Sequence, residues 1–270
     1  MRVIRRGVVL VLPALLVLVG LQALSGLAQS PSPVAVDPQK VLQKITDPKG
    51  VFSFKLSDEP GTWFDTGIDI FGTRSLGVGV ASAANPVKAV FTIAKPDTNT
   101  VHTVSSLIWP TGAPGFPWGQ GGGGLGEREV ALTKPGLYAF TCKIHPYMLG
   151  AVVVDDPATP GLDFGQRLST MGGTSLPSDA DYIMRLVHTF FIATVPNNWQ
   201  HYSADSSTTW NPTYPPAPIL TYDSSGSMHV IPNLNDYFHQ KFNEPKTLPA
   251  ANVKPKTPGV GEVWVDTQFE

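Results

Sequence analysis

The feature that most constrains this chain is the spacing Cys142-x2-His145-x2-Met148, which contains its only cysteine. Successive side chains of a β-strand point to opposite faces of the sheet, so a straight strand cannot direct three side chains with this spacing toward one point. A short loop that curls around that point can do so. The spacing therefore predicts a compact loop at residues 142–148.

The residues on both sides of this loop have strand character. Residues 137–141 and 151–154 are rich in β-branched, aromatic and other apolar side chains, and Pro146 and Gly150 interrupt the pattern between them. We therefore predict two neighbouring antiparallel strands that the loop joins at one end of a sheet.

A second histidine, His102, lies in another strand-like run, residues 100–109. Together with the loop it supplies one thiolate, two imidazoles and one thioether, which are the donors that suit a mononuclear blue-copper site. Thiolate and thioether favour Cu(I), whereas imidazole binds both oxidation states. The sequence therefore predicts that His102, Cys142, His145 and Met148 bind one copper ion that cycles between Cu(I) and Cu(II).

The stretch from about residue 76 to residue 156 resembles the cupredoxin family, the type 1 blue copper proteins. The resemblance is carried by His102-Thr-Val, by Pro135-Gly136-x-Tyr138-x-Phe140-x-Cys142-x2-His145-x2-Met148-x-Gly150, and by the valines at 152–154. The short ligand loop is most similar to that of amicyanin. The resemblance implies an all-β, Greek-key β-sandwich in which His102, Cys142 and His145 are the equatorial copper ligands and Met148 is the weak axial ligand.

Several other copper centres are excluded by what the sequence lacks. A binuclear CuA centre needs a second cysteine, and the chain has one. Blue copper sites that are wired to a second metal use a His-Cys pair, but Thr141 precedes Cys142, and the chain contains no His-x-His pair for a trinuclear site. These absences favour an electron carrier over an enzyme.

Residues 1–28 have the pattern of a signal peptide. Arg2, Arg5 and Arg6 form a basic start, residues 7–24 are mostly apolar, and small residues at 26–28 offer a cleavage site. Pro13 interrupts the apolar stretch, which favours a cleaved signal over an uncleaved anchor. We therefore expect a periplasmic or extracellular protein with no membrane span after cleavage, in which metal binding occupies the unpaired cysteine.

The composition is that of a loop-rich β protein, with 26 glycines, 26 prolines and 15% charged residues. We predict an N-terminal leader at 29–50 with a short helix at 38–46, followed by a cupredoxin domain at 51–156 with strands at 51–56, 76–81 and 87–93. A G-x-G-x-x-G run at 119–124 lacks the flanking strand and helix of a dinucleotide site and is interpreted as a loop. The net charge of −2 and the lack of a basic patch argue against a nucleic-acid partner.

Residues 157–270 are interpreted as a loop-rich, Pro- and Ser-rich extension with one helix near 179–195, which the run Ser178-Asp-Ala-Asp181 would cap. Met184 and His188 lie four residues apart on this helix, and we expect them to pack in a core rather than to share a metal. His201, His229 and His239 show no ligand spacing and are expected at the surface. The strand-like residues 259–270 suggest that a further β domain, such as a propeller, begins there.

The sequence favours an exported carrier of single electrons whose partner is an unidentified redox protein. One alternative is a periplasmic chaperone or reservoir that binds copper without redox duty. Another is an electron-transfer module of a larger copper oxidoreductase, although no acid–base pair, nucleophile or second metal site stands out in residues 157–270.

Overall fold

The computed structural model describes residues 50–59, 61–81, 85–93, 101–118, 126–199 and 208–248. Within them it has the strands β1 Val51–Leu56, β2 Phe64–Asp65, β3 Leu76–Val80, β4 Val87–Ile93, β5 Val104–Pro110, β6 Pro117–Trp118, β7 Gly126–Leu132, β8 Gly136–Thr141, β9 Leu149–Asp155, β10 Leu162–Asp163, β11 Arg167–Thr170, β12 Ser175–Pro177, β13 Thr208–Trp210, β14 Ile219–Tyr222, β15 Met228–Ile231 and β16 Lys246–Leu248. The helices are α1 Asp181–Thr194, a 3-10 turn Pro196–Asn198, and α2 Leu234–Lys241.

Two sheets form the body of the fold. A smaller sheet has the order β2-β1-β4-β7, and a larger one has the order β12-β11-β5-β8-β9-β3, with β6 added beside β5. The chain crosses from one sheet to the other between β2 and β3, β3 and β4, β4 and β5, β6 and β7, and β7 and β8, as it does in Greek-key sandwiches. The prediction of an all-β sandwich is confirmed.

The space between the two sheets holds what we call the first core. Alternate residues of β1 and β4 face the larger sheet, because side chains along a strand alternate between its two faces. The first core is made of Phe52, Phe54, Leu56, Trp63, Phe64, Val87, Ala89, Phe91, Ile93, Val104, Leu132, Tyr138, Phe140, Cys142, Met148, Val152 and Val154. A Cβ added at Gly150 would lie 2.7 Å from the Phe64 ring, so glycine lets the sheets approach closely beside the predicted ligand loop.

The opposite face of the larger sheet is covered by what we call the second core. It is formed by the other alternate residues of the same strands together with α1, α2 and β14, and its members include Ile108, Leu137, Ala151, Val153, Ile183, Val187, Phe190, Phe191, Tyr214, Ile219, Leu234 and Phe238. Every residue of β9 is buried, because this strand contributes to both cores. Residues from both sides of position 156 therefore pack in one core.

Most of the predicted local elements are found, but the prediction of one helix in residues 157–270 is wrong, because α2 is a second helix there. The helix near 179–195 is α1, and Met184 and His188 are buried in it, as expected. Ser178 does not cap this helix, since the N-cap residue is Ala180 and the Ser178 hydroxyl instead accepts a hydrogen bond from the Tyr222 amide at 2.9 Å. The run 100–109 becomes a strand only from Val104 onward.

Several sequence predictions fall outside the described residues. They are the signal peptide, almost all of the leader with its short helix, the glycine run at 119–124, His201, and the strand-like residues 259–270. In the part of the chain that the structure describes, no helix is both long enough and apolar enough to cross a membrane.

Candidate metal centre

The strand register explains why His102 comes to lie beside Cys142. Strands β5 and β8 are antiparallel neighbours, and Ser105 pairs with Thr141. The residues just before β5 therefore lie next to those just after β8. His102 and Cys142 occupy these two positions, and both are almost completely buried.

The predicted loop closes on itself between β8 and β9, which pair as antiparallel neighbours. The Cys142 amide donates a hydrogen bond to the Met148 carbonyl at 3.3 Å, and the Met148 amide donates to the His145 carbonyl at 2.9 Å. These two bonds curl the loop so that its side chains converge, as the spacing predicts. Met148 is fully buried in the first core together with Cys142.

Three of the predicted ligand side chains form one cluster. One donor atom each from His102, Cys142 and His145 lies within 4.8 Å of the others, and His145 Nδ1 is 3.7 Å from Cys142 Sγ. Metal–sulfur and metal–nitrogen bonds of about 2.3 and 2.0 Å, separated by 120°, place their donors about 3.7 Å apart. The distance between His145 Nδ1 and Cys142 Sγ therefore matches that of two donors to one metal ion, while ligation by these residues and by Met148 stays a prediction.

The state of His102 fits a metal ligand better than a packed core residue. Its side chain is 2% exposed, and neither ring nitrogen makes a well-aligned hydrogen bond within the described residues. Burial lowers the pKa of His102, although nearby Asp58 opposes this shift and His145 adds to it. The ring is thus neutral near pH 7 and offers a nitrogen lone pair. A buried polar atom without a partner costs about 1–3 kcal/mol, and a bound metal would remove that cost.

The Cys142 sulfur has its own hydrogen-bonding partners. The Thr103 amide donates to Sγ at 3.3 Å, and the Thr103 hydroxyl lies 3.7 Å from the same atom. The Lys143 amide donates to the Thr103 hydroxyl at 2.8 Å. Thr103 therefore ties the His102 segment to the ligand loop and surrounds the sulfur with donors. Such partners orient a ligand and tune its electronics.

Aromatic side chains enclose one side of the cluster. The Tyr147 ring lies 5.9 Å from the His145 ring and 5.5 Å from the ring of Trp63, which is buried. Burial raises the pKa of Tyr147, and the nearby Asp58 and Cys142 raise it further. The cluster is thus walled by apolar surface, while His145 itself keeps some exposure.

Sequence reasoning missed one residue at this site and a polar network remote from it. Asp58 lies beside His102, although nothing in its sequence context signals that contact.

In the second core, His188 Nε2 lies 3.0 Å from Glu244 Oε1, and the Tyr214 hydroxyl donates to Glu244 Oε2 at 2.8 Å. Of the histidines predicted at the surface, His229 is exposed but the side chain of His239 is only 20% exposed and lies near Glu244.

The solved structures that this chain resembles are cupredoxins. A pseudoazurin from Sinorhizobium matches with 19% identity over 40% of this chain and 76% of its own, at a TM-score of 0.28. A pseudoazurin from Methylobacterium extorquens AM1 matches with 22% identity over 38% and 74%, also at 0.28. A reduced Cu(I) form of an amicyanin variant matches with 14% identity over 40% and 86%, at 0.26.

No protein-family model matches the chain, and no curated protein matches it. The likeness to solved structures covers about two fifths of the chain at low TM-scores. The cluster of His102, Cys142 and His145 is therefore the main evidence for a metal centre.

Proposed function

We propose that this chain is an exported type 1 copper protein that carries single electrons between redox proteins. His102, Cys142, His145 and Met148 would hold one copper ion. The observation that carries this proposal is the convergence of two imidazoles and the only cysteine within 4.8 Å, with the cysteine buried in the first core. The bound ion would supply the Cu(I)/Cu(II) couple.

In such a transfer the protein would hold the metal-binding atoms in a fixed geometry. The Thr103 hydroxyl joins the two ligand segments, and the backbone bonds of the loop fix Cys142 and Met148 against each other. Cys142 and Met148 are buried in the first core, which also contains Phe91 and Phe140. Because the ligands are held by the fold, little needs to move when the charge changes, and this favours rapid outer-sphere transfer.

Electrons would enter and leave through the edge of His145. This side chain is partly exposed, whereas the other predicted ligands are buried. The exposed apolar residue Ile144 and the exposed Pro146 flank it in the loop, and Val101 is exposed next to His102. An apolar rim around a conducting edge would allow a redox partner to dock closely and exclude water.

A copper chaperone or reservoir is less well supported by the geometry. A protein that hands copper on needs ligands that a partner can reach, but Cys142 and Met148 have no exposed surface and His102 has almost none. We expect a Cu(I) chelator to remove the metal slowly. Rapid and complete loss to the chelator would favour copper handling over electron transfer.

The test of the proposal is the visible and EPR spectrum of the purified protein with one equivalent of Cu(II). We expect an intense thiolate-to-copper band with a narrow parallel hyperfine splitting. Cys142→Ser should abolish the band, whereas His229→Ala, which removes an exposed histidine, should leave it unchanged. A colourless wild-type protein with an ordinary tetragonal copper signal would overturn the proposal.

Export is tested separately by expressing the whole chain in a Gram-negative host. We propose that residues 1–28 are removed and that the protein reaches the periplasm. N-terminal sequencing of the periplasmic fraction should then begin at Gln29. Retention of the intact N-terminus in the membrane fraction would instead favour the uncleaved anchor.

A further inference from the structure

The carboxylate of Asp58 approaches the predicted metal centre from the opposite sheet. Asp58 follows β1 of the smaller sheet by two residues, whereas His102 precedes β5 of the larger sheet. Asp58 Oδ1 lies 3.2 Å from His102 Nε2, and the two side chains are 22% and 2% exposed. A carboxylate therefore lies beside Nε2 of a buried histidine. It is contributed by the segment that follows the smaller sheet, which supplies none of the predicted copper ligands.

This placement determines which nitrogen of His102 is left for a metal. A neutral imidazole carries one proton and one lone pair, and the nitrogen that faces an acceptor keeps the proton. A carboxylate beside Nε2 favours the proton there, which leaves the lone pair on Nδ1. Both ring nitrogens are buried and neither makes a well-aligned hydrogen bond within the described residues, so the carboxylate acts on Nε2 through its proximity and charge. This contact favours the tautomer in which Nδ1 can bind a metal.

We propose that Asp58 is a positioning residue of the copper centre: it holds the His102 ring in its metal-binding orientation and places a negative charge behind that ligand, which favours Cu(II) over Cu(I). This inference rests on the proposed copper-binding function. Carboxylate–histidine–metal arrangements orient the ligand and raise its basicity, and loss of the outer partner commonly costs about 10- to 100-fold in metal affinity.

Two variants separate the charge of Asp58 from its polar contact with His102 Nε2. Asp58→Asn keeps an oxygen that can accept from Nε2 but removes the charge, whereas Asp58→Ala removes both. Glu59→Gln is the matched control, because it removes the same charge from the adjacent, exposed residue, for which no contact with His102 is found. The copper-loaded full chain is equilibrated with a redox mediator of known potential, and the EPR spectrum and Cu(II) affinity are measured on the same samples.

We expect both Asp58 variants to shift the mediator equilibrium toward Cu(I) by about tenfold, which corresponds to about 59 mV for a one-electron couple. Asp58→Asn should weaken Cu(II) binding by about tenfold through the loss of charge, whereas Asp58→Ala should weaken it further, by up to about 100-fold, and should alter the hyperfine splitting. Glu59→Gln should stay close to wild type in both measurements.

The inference is overturned if Asp58→Asn shifts the equilibrium no more than Glu59→Gln does. It is equally overturned if Asp58→Ala keeps the wild-type Cu(II) affinity and spectrum. Either result leaves a blue wild-type protein and so touches only the role of Asp58. A wild-type protein without the blue spectrum would instead refute the proposed function itself.

Discussion

The same strands build both faces of the larger sheet, but the residues of only one face indicate a function from the sequence alone. Along β9, Val152 and Val154 face the first core with Cys142, and Ala151 and Val153 face the second core with α1. The first face can be recognised from sequence because few residue types bind copper and their spacing is restrictive. The second face consists of ordinary apolar residues, which many folds would accept.

Each of the two cores has a buried histidine, and the two histidines differ in their hydrogen bonds. His102 in the first core and His188 in the second are each 1% exposed, and burial lowers the pKa of both. The polar needs of His188 are met by Tyr214 and Glu244 at 2.7 and 3.0 Å. His102 has no well-aligned partner within the described residues. A satisfied buried histidine indicates a structural network, whereas an unsatisfied one among soft donors indicates a binding site.

The largest expected effect comes from breaking the network of the second core. Glu244→Ala should lower the free energy of unfolding by about 3–5 kcal/mol, because the buried side chains of His188 and Tyr214 both lose their acceptor, at about 1–3 kcal/mol for each buried group left unsatisfied. Urea unfolding followed by circular dichroism measures this loss, and the copper spectrum should stay blue. His229→Ala, which removes an exposed side chain that contacts Asp223, is the control and should leave the unfolding transition close to that of the wild type.

If Glu244→Ala bleached the copper band while the protein remained folded, the two faces would be coupled. Packing in the second core would then influence the copper site, in addition to burying one face of the larger sheet.

Adjacent residues on β9 offer the sharpest comparison of the two faces. Val152→Ala and Val153→Ala each delete two buried methyl groups, so each should destabilise the protein by about 2–3 kcal/mol in urea unfolding. Only Val152 shares the first core with Cys142, so only its variant should change the copper reduction potential. Equal shifts in potential for both variants would contradict the assignment of one face to the metal.

The smallest effect concerns the polar end of β9. Burial, together with nearby Asp163 and Asp156, raises the pKa of Asp155 to about 6. A raised carboxyl pKa means that the folded state binds the proton more tightly than the unfolded state does. Stability should therefore be greatest below about pH 4 for this group and should fall as the pH rises to about 6.

Asp155→Asn should remove that part of the pH dependence and should stabilise the protein at pH 7 by about 1–2 kcal/mol. The amide oxygen can still accept the hydrogen bond that Asp155 Oδ1 receives from the Asp163 amide at 3.0 Å. Thermal unfolding at pH 4, 5, 6 and 7 measures the difference. A wild-type profile that is flat over this range would contradict the raised pKa.

Structural features that depend on neighbouring residues in the chain could be predicted from the sequence, whereas features that depend on distant residues could not. The strands at 51–56 and 87–93 appear with the predicted bounds, because alternation of apolar residues is a local signal. The capping error at Ser178 arose because its hydroxyl has a partner in Tyr222, 44 positions further along the chain. The contact of Asp58 with His102 could not be predicted for the same reason, since it joins two sheets.

The class of fold, the curled loop and the convergence of His102, Cys142 and His145 could be predicted from the sequence, because a cysteine, two histidines and a methionine in strand context leave few alternatives. That residues 208–248 belong to the body of the protein is seen only in the folded molecule. Trp210, Tyr214 and Leu234 are buried against the larger sheet and α1. Their burial depends on surfaces supplied by distant strands, and no local pattern of apolar residues specifies which surface a loop-rich segment will cover.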